Sequence, residues 1–262
     1  MRRGGPKYDD ARRRELAGAF TSGGEHYDRV RPGYPPEALA WILPEGARTA
    51  VDLGAGTGKF TQLLVAAGLE ATAVDPSEDM LAQLARQLPG VRCVVAPAEH
   101  TGLPDACADV VVAAQAWHWF ETGAATREAA RLLRPGGRVG LVWNQLDTQV
   151  PWVHRLSRIM HAGDVHKPDY HPPSGPELRG WESLEIRWED RITPEGIVEL
   201  AKSRSYYLRA SEKHRRKVED NLAWYLLEHL GHSWGDVLAL PYVAQAWRAR
   251  AAHGLEGSHA PE

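Results

Sequence analysis

The chain has 262 residues and a net charge of -3, from 31 basic and 34 acidic side chains. That length can bury a substantial core in one large domain, while the balanced charge offers no overall attraction to nucleic acid or to an anionic membrane. Two cysteines, Cys93 and Cys107, are too few for a disulfide framework and lack metal-ligand spacing.

The first stretch, "MRRGGPKYDDARRRELAG", starts basic and continues charged, without the apolar segment of a signal peptide. No later run approaches the roughly 18 apolar residues of a membrane span, so a cytoplasmic protein is expected. "EHYDRVRPGYPP" then forms a turn-rich arm leading into a helix near Pro36 that carries Leu39, Ile42 and Leu43. Proline in the first helical turn has no intrahelical N–H bond to lose.

From Thr49 short apolar runs alternate with helical ones. "TAVDLGA" reads as a strand, "KFTQLLVAAG" as a helix closed by Gly68, "EATAVDP" as a strand and "SEDMLAQLARQLPG" as a helix capped by Ser77. "VRCVVAPA" and "ADVVVAAQA" are strands, "GAATREAARLLRPGG" is a helix ended by Pro135 and two glycines, and "RVGLVWN" is a strand. Strands apolar almost throughout are buried on both faces, which predicts a doubly wound α/β domain built on a parallel sheet.

Beyond Asn144 the rhythm changes. Trp152 to His161 forms an amphipathic helix, and "HAGDVHKPDYHPPSGPEL" is a Pro- and His-rich connection. "LEIRWEDRI" alternates like an antiparallel or edge strand. Thr193 before Pro194 marks a capped helix start, "SEKHRRKVEDNLAWYLLEHLG" is one amphipathic helix, and "GDVLALPYVAQAWRAR" is a final strand. His154, His161, His166 and His171 lie in or near the connection without a ligand pattern, so no metal is expected. The ten tryptophans are many for this length; most are expected in the core, with a few lining a pocket for an organic ligand.

The glycine loop "VDLGAGTGKFT" lies where a strand turns into a helix, at the carboxyl end of a parallel strand, the place where such folds bind ligands. Its third glycine, Gly58, arrives one residue early for the dinucleotide pattern G-x-G-x-x-G. The P-loop pattern G-x-x-x-x-G-K-[ST] is absent as well. Asp52 ahead of Gly54 would repel a phosphate and could pair with a cationic ligand. Asp75 ends the second strand about twenty residues on, where a carboxylate can accept both hydroxyls of a ribose.

"VDLGAGTGKFT", "AVDPSEDML", "APAE", "AQAWHWF" and "LLRPGGRVGLVWN", in this order and spacing, resemble the class I S-adenosylmethionine-dependent methyltransferases. The similarity is closer to a small-molecule branch with a His-Trp-Phe segment after the fourth strand, which includes trans-aconitate methyltransferase-like proteins. It extends from "YDRVRPGYP" through "SRSYY" to "LPYVAQAWR".

The resemblance implies one methyltransferase domain over residues 1–262, with a mostly parallel sheet, an antiparallel last strand and helices added over the active site. Within it, 1–35 would be an arm over the cofactor, 36–145 the cofactor-binding core, 146–235 a substrate-side elaboration and 236–250 the final strand. It also implies roles. Gly54, Ala55 and Gly56 would pack against the methionine part of S-adenosylmethionine, Asp75 would hold the ribose, and Pro76 with Met80 would flank the adenine. Ala98 and Glu99 would lie at the adenine edge, Gln115 and Trp117 near the sulfonium, and Tyr27 and Arg31 over the cofactor's carboxylate. Many relatives carry Asp or Thr where this chain has Pro97, which has neither an N–H nor a polar side chain, so contacts to the adenine amine must come from its neighbours.

Methyl transfer from a sulfonium is an in-line displacement in which the protein aligns the nucleophile and excludes water. A carboxylate acceptor needs no base; a phenol, amine or carbon acceptor can require one. His118, between Trp117 and Trp119, is the candidate base or substrate contact, against a structural role in orienting its loop. Trp119, Asn144, Tyr206 and Tyr207 are candidate acceptor contacts. The expected partner is a small-molecule substrate, with no nucleic acid and no membrane, acting as a monomer or homodimer. The alternatives are an S-adenosylmethionine-binding protein or enzyme that does not transfer the methyl group and an NAD-dependent oxidoreductase, the latter opposed by the glycine spacing. Nucleic-acid methylation is opposed by "QAWH" where base aminomethylases of this fold carry [DN]-P-P-[YF].

Overall fold

The computed structural model describes residues 31–162 and 170–252. In chain order the elements are α1 (Pro36–Ile42), β1 (Thr49–Leu53), α2 (Lys59–Ala66), β2 (Glu70–Asp75), α3 (Glu78–Gln87), β3 (Arg92–Val95), β4 (Ala108–Ala114), a 3-10 turn (Trp117–Trp119), α4 (Thr122–Leu132), β5 (Leu133–Leu146), α5 (Pro151–Ile159), β6 (Leu178–Ile192), α6 (Pro194–Lys202), α7 (Ser205–Arg209), α8 (Glu212–Ala223), a π-helical turn (Trp224–His229) and β7 (Leu238–Ala251). The strands form one sheet in the order β3-β2-β1-β4-β5-β7-β6. The pairs β1 with β2, β1 with β4, β2 with β3 and β4 with β5 are parallel, and β7 runs antiparallel. This is the α/β fold expected from the buried, non-alternating strands. The sheet grows outward in opposite directions from β1 and β4, so the crevice above those two strands is the topological switch point.

The chain divides by its contacts into two compact units. Among the described residues, one comprises 34–144, 171–186 and 244–252; the other comprises 31–33, 145–162, 170 and 187–243. In the first, Leu39 and Ile42 of α1 and Phe60 and Leu64 of α2 cover Ala50 of β1, Val110 and Val112 of β4 and Val142 of β5. On α3, Leu81 and Leu84 pack with Ala55 and Ala73. In the second, Val153, Leu156 and Met160 of the α5 segment meet Ile197 and Leu200 of α6, Val218 and Leu222 of α8, and Leu240 and Tyr242 of β7.

The capping expectations agree with the structure. Ser77 Oγ accepts from Met80 N at 3.4 Å and Thr193 Oγ1 from Gly196 N at 3.2 Å. Several boundaries differ: β6 begins at Leu178, six residues ahead of "LEIRWEDRI", and the helix after Thr193 breaks at Lys202 before α7. Helix α4 stops at Leu132, ahead of Pro135, because Leu133 already pairs with Ala108; the next pair is Arg138 with Val110, so the Pro-Gly-Gly segment becomes a wide bulge on β5. The helix expected over 211–231 changes to π-helical winding at Trp224. There Tyr225 and Leu226 are both buried, with the Tyr225 hydroxyl donating to Trp152 O at 2.9 Å, while Trp224 is left exposed.

Candidate active site at the glycine loop

The loop after β1 is held by its own backbone and by β2. Gly54 N and Ala55 N both donate to Val74 O, at 2.8 and 3.0 Å, and Gly58 N donates to Ala55 O at 3.0 Å. Gly54 has φ +69°, and a Cβ there would lie 2.6 Å from Ala116 Cβ and 3.1 Å from Phe120 Cζ. The residues just after β4 therefore press onto the loop after β1, and only glycine fits between them. Asp75 completes the arrangement. Its Oδ2 accepts from Gly56 N at 2.9 Å and its Oδ1 from Ser77 N at 2.8 Å. Each oxygen retains a second lone pair. Burial raises the Asp75 carboxyl above its ordinary value, and the Ser77 and Gly56 backbone donors pull it back down.

Asp52 sits deeper, at 1% exposure. Its Oδ2 accepts from Thr61 Oγ1 at 2.7 Å, while its Oδ1 is buried and meets no hydrogen-bond partner among the described residues. Burial pushes this carboxyl up to about 7; the Thr61 hydroxyl opposes the rise and the Asp75 charge adds to it. Thr61 was not among the residues expected from the sequence. The available signal was its place in the first turn of the helix after the loop, on the buried face beside Phe60.

Gln115, directly after β4, is a non-glycine residue at φ +55°, a conformation that is uncommon for its type and clusters at functional sites. Its side-chain Nε2 donates to Asn144 O at 2.6 Å and its backbone N to Val142 O at 2.8 Å, tying the carboxyl ends of β4 and β5 together. Asn144 is buried. The structure thus brings Asp52, Gly54, Ala55, Gly56, Asp75, Gln115 and Asn144 to the carboxyl ends of β1, β2, β4 and β5, beside the switch point.

A family profile described as a methyltransferase domain matches residues 51–141. An uncharacterized methyltransferase of Mycobacterium tuberculosis is 41% identical over 238 residues, covering 90% of this chain and 97% of the relative. The chain belongs to the class I S-adenosylmethionine-dependent methyltransferases. A solved structure from Anaeromyxobacter dehalogenans, described as a type II methyltransferase, matches the methyltransferase with a TM-score of 0.61 and 28% identity over 84% of this chain and 97% of that one. A Haemonchus contortus phosphoethanolamine N-methyltransferase, solved with phosphomonomethylethanolamine and S-adenosylhomocysteine, shares the fold at a TM-score of 0.51 and 14% identity, over 94% of this chain and 60% of that one.

The other expected site residues of the methyltransferase take varied places. Pro76 is exposed, whereas Met80 and Ala98 are buried. Glu99 Oε1 accepts from Glu121 N at 2.7 Å, and Glu121 itself caps α4 by accepting from Gly123 N and Ala124 N. Trp117 is 1% exposed, packs edge-on against Phe120 and donates its indole N–H to Pro173 O at 2.8 Å. His118 is exposed and lies against the half-buried Trp119 with ring centroids 4.6 Å apart. The buried Trp143 donates its indole N–H to His118 Nδ1 at 3.4 Å. An indole nitrogen only donates, so in this pair His118 Nδ1 is the acceptor and Nε2 carries the hydrogen.

Arg31, Tyr206 and Tyr207 belong to the second unit. Arg31 donates to Ser203 O at 3.0 Å, at the C-terminal end of α6. The Tyr206 ring stacks on His161 at 3.8 Å, and the Tyr207 hydroxyl donates to Glu219. Tyr27 and His166 lie outside the described residues. Among the described residues no group of three or more His, Cys, Asp and Glu is placed to hold a metal ion, and no helix is long and apolar enough to cross a membrane.

Proposed function

We propose that this methyltransferase passes the methyl group of S-adenosylmethionine to a small-molecule acceptor, a carboxylate, phenol, amine or activated carbon, by in-line displacement. The observation that carries the reading is the pair of carboxylates at the glycine loop. Asp75 accepts one hydrogen bond on each oxygen and keeps a second lone pair on each, suited to vicinal hydroxyls, and Asp52 has a buried oxygen without a partner among the described residues, suited to positive charge. Asp75 would suit the ribose of a dinucleotide equally well, so it is Asp52 and the short glycine spacing that oppose one. S-adenosylmethionine supplies a methyl group already activated by its sulfonium.

The chain's own residues then have distinct tasks. Gly54, Ala55 and Gly56 would receive the methionine part, Asp75 the ribose, and Pro76 with Met80 the faces of the adenine, with Ala98 and Glu99 at its edge. Gln115, backed by the buried Trp117, would border the reacting centre, and Asn144 with Trp119 would help to hold the acceptor. His118, with its Nε2–H directed away from Trp143, acts in this reading as a hydrogen-bond donor to the acceptor. The net charge of -3 supports a small-molecule acceptor over nucleic acid.

Two measurements test this. Calorimetric titration should show binding of S-adenosylmethionine and none of NAD; NAD binding without S-adenosylmethionine binding would overturn the reading. For His118, production of S-adenosylhomocysteine is followed across a panel of small acids, phenols and amines. His118→Gln retains an N–H near the Nε2 position and should keep turnover within about tenfold, whereas His118→Ala should lose roughly 10- to 100-fold, the worth of one hydrogen bond to a polar group. A general base would instead be lost equally in both variants.

A further inference from the structure

We propose that Trp143, a residue to which the glycine-loop site gives no task, positions His118 for the reaction: its buried indole N–H holds the imidazole in one orientation and leaves Nε2–H to the acceptor. Trp143 acts through His118 and itself touches no substrate. The proposal rests on the reading of His118 as a hydrogen-bond donor to the acceptor.

The indole is held more firmly than the imidazole it meets. Trp143 is 2% exposed near the carboxyl end of β5, and a bulky ring in a close-packed interior keeps one rotamer. Gln115 grips the strand on both sides of it. The backbone N of Gln115 donates to Val142 O at 2.8 Å and its side-chain Nε2 to Asn144 O at 2.6 Å.

His118 is exposed, a setting in which a side chain ordinarily changes rotamer within picoseconds to nanoseconds. Its contacts oppose that. Trp143 Nε1 donates to Nδ1 at 3.4 Å on the edge of the ring, and Trp119 lies against the ring with centroids 4.6 Å apart. The backbone beneath is the 3-10 turn, closed by Trp119 N on Ala116 O at 2.9 Å and anchored by the Trp117 indole on Pro173 O at 2.8 Å. Ordering the ring in advance spares the entropy that fixing it in the complex would cost.

The chemistry of the partner matters as much as its place. An indole N–H donates and never accepts, so it selects the neutral imidazole with a lone pair on Nδ1. A carboxylate or carbonyl in the same place would select the hydrogen on Nδ1 and leave Nε2 as a proton acceptor, the arrangement of a general base. Trp143 thereby favours a donor role for His118 over a basic one.

The test begins with NMR of the full-length enzyme labelled at its histidine nitrogens, where the signals missing from His118→Ala are those of His118. The wild type should show Nε2 protonated and Nδ1 bare. Trp143→Phe keeps an aromatic ring and removes the N–H, so it should move the Nδ1 resonance and admit the other tautomer. A hydrogen on Nδ1 in the wild type, or a His118 spectrum unchanged in Trp143→Phe, overturns the proposal. The spectra need no acceptor and decide if no member of the panel of small acids, phenols and amines is turned over. With an acceptor, Trp143→Phe should lower kcat about 3- to 10-fold at unchanged affinity for S-adenosylmethionine, the worth of a hydrogen bond between neutral groups. In the His118→Ala background the same substitution should change kcat by less than about twofold, because the two residues act as one unit. An equal loss with and without His118 makes Trp143 a packing residue and overturns the proposal. If Trp143→Phe does not fold, the wild-type spectrum decides alone. An unchanged kcat in Trp143→Phe beside a slow His118→Ala overturns the positioning role alone, whereas His118→Ala turning over like the wild type overturns the donor reading beneath it.

Discussion

Replacing Gly54 by alanine is expected to lower the stability of the methyltransferase by roughly 2–5 kcal/mol, a large part of the about 5–15 kcal/mol that holds a typical domain together. Two independent costs combine. The residue sits at φ +69°, which costs an L-residue about 1–2 kcal/mol. The added methyl would also lie 2.6 Å from Ala116 Cβ, an atom attached to the backbone that cannot swing aside, and 3.1 Å from Phe120 Cζ. Relieving that overlap separates the ends of β1 and β4, at about 1–3 kcal/mol by analogy with overpacked cores.

Gly56→Ala is the internal control. Its φ is +55°, but nothing lies within 4 Å of an added Cβ, so it should lose only the backbone share of about 1–2 kcal/mol. Urea denaturation of both variants separates strain from overlap. Equal midpoints for the two would contradict the close approach of Ala116 and Phe120.

Asp75→Asn is expected to weaken S-adenosylmethionine binding by about 100-fold or more while leaving the fold in place. The carboxylate accepts from Gly56 N and Ser77 N through different oxygens. An amide has one acceptor oxygen, so one of these backbone donors would face an NH2 group. Loss of a hydrogen bond to a charged acceptor costs about 1.5–3 kcal/mol, and the same substitution removes an acceptor proposed for the ribose. Titration calorimetry supplies the affinity and thermal melting the stability. An unchanged dissociation constant would remove Asp75 from the ribose assignment, and a collapse of the fold with no specific loss of binding would make it a structural anchor of the loop.

The parts of this site legible in the sequence were those carried by local chemistry. "VDLGAGTG" announces a tight turn at a strand end because glycine spacing is a backbone property, and Asp75 is legible because it stands at the end of the next buried strand. The Ser77 and Thr193 caps follow the same logic, since a side chain that bonds a backbone N–H three residues away needs no distant partner. The π-helical winding at Trp224 was not legible, because the apolar spacing of "LAWYLLEHL" suits an ordinary helix. It depends on the burial of Tyr225 and its bond to Trp152 O, 73 residues away.

Trp117 shows the same limit within the site. As a sequence feature it is an aromatic beside a candidate sulfonium pocket. In the fold its indole N–H is committed to Pro173 O, 56 residues later, and its ring is almost wholly buried. His118 likewise reads as a base, a substrate contact or a loop anchor in the sequence, and only the fold brings Trp143, 25 residues on, to donate to its Nδ1.

The sequence by itself determined the class of fold and the tight turn at the glycine loop, because strand burial, turn geometry and capping are set by neighbours within a few residues. Only the tertiary structure decided how differently the two carboxylates are bonded and that Trp143 donates to His118. A carboxyl buried with one side-chain hydroxyl donor and one held by two backbone N–H groups are the same residue type in the sequence. What separates Asp52 from Asp75 is desolvation and hydrogen bonding, and both arise when the strands and helices close around them.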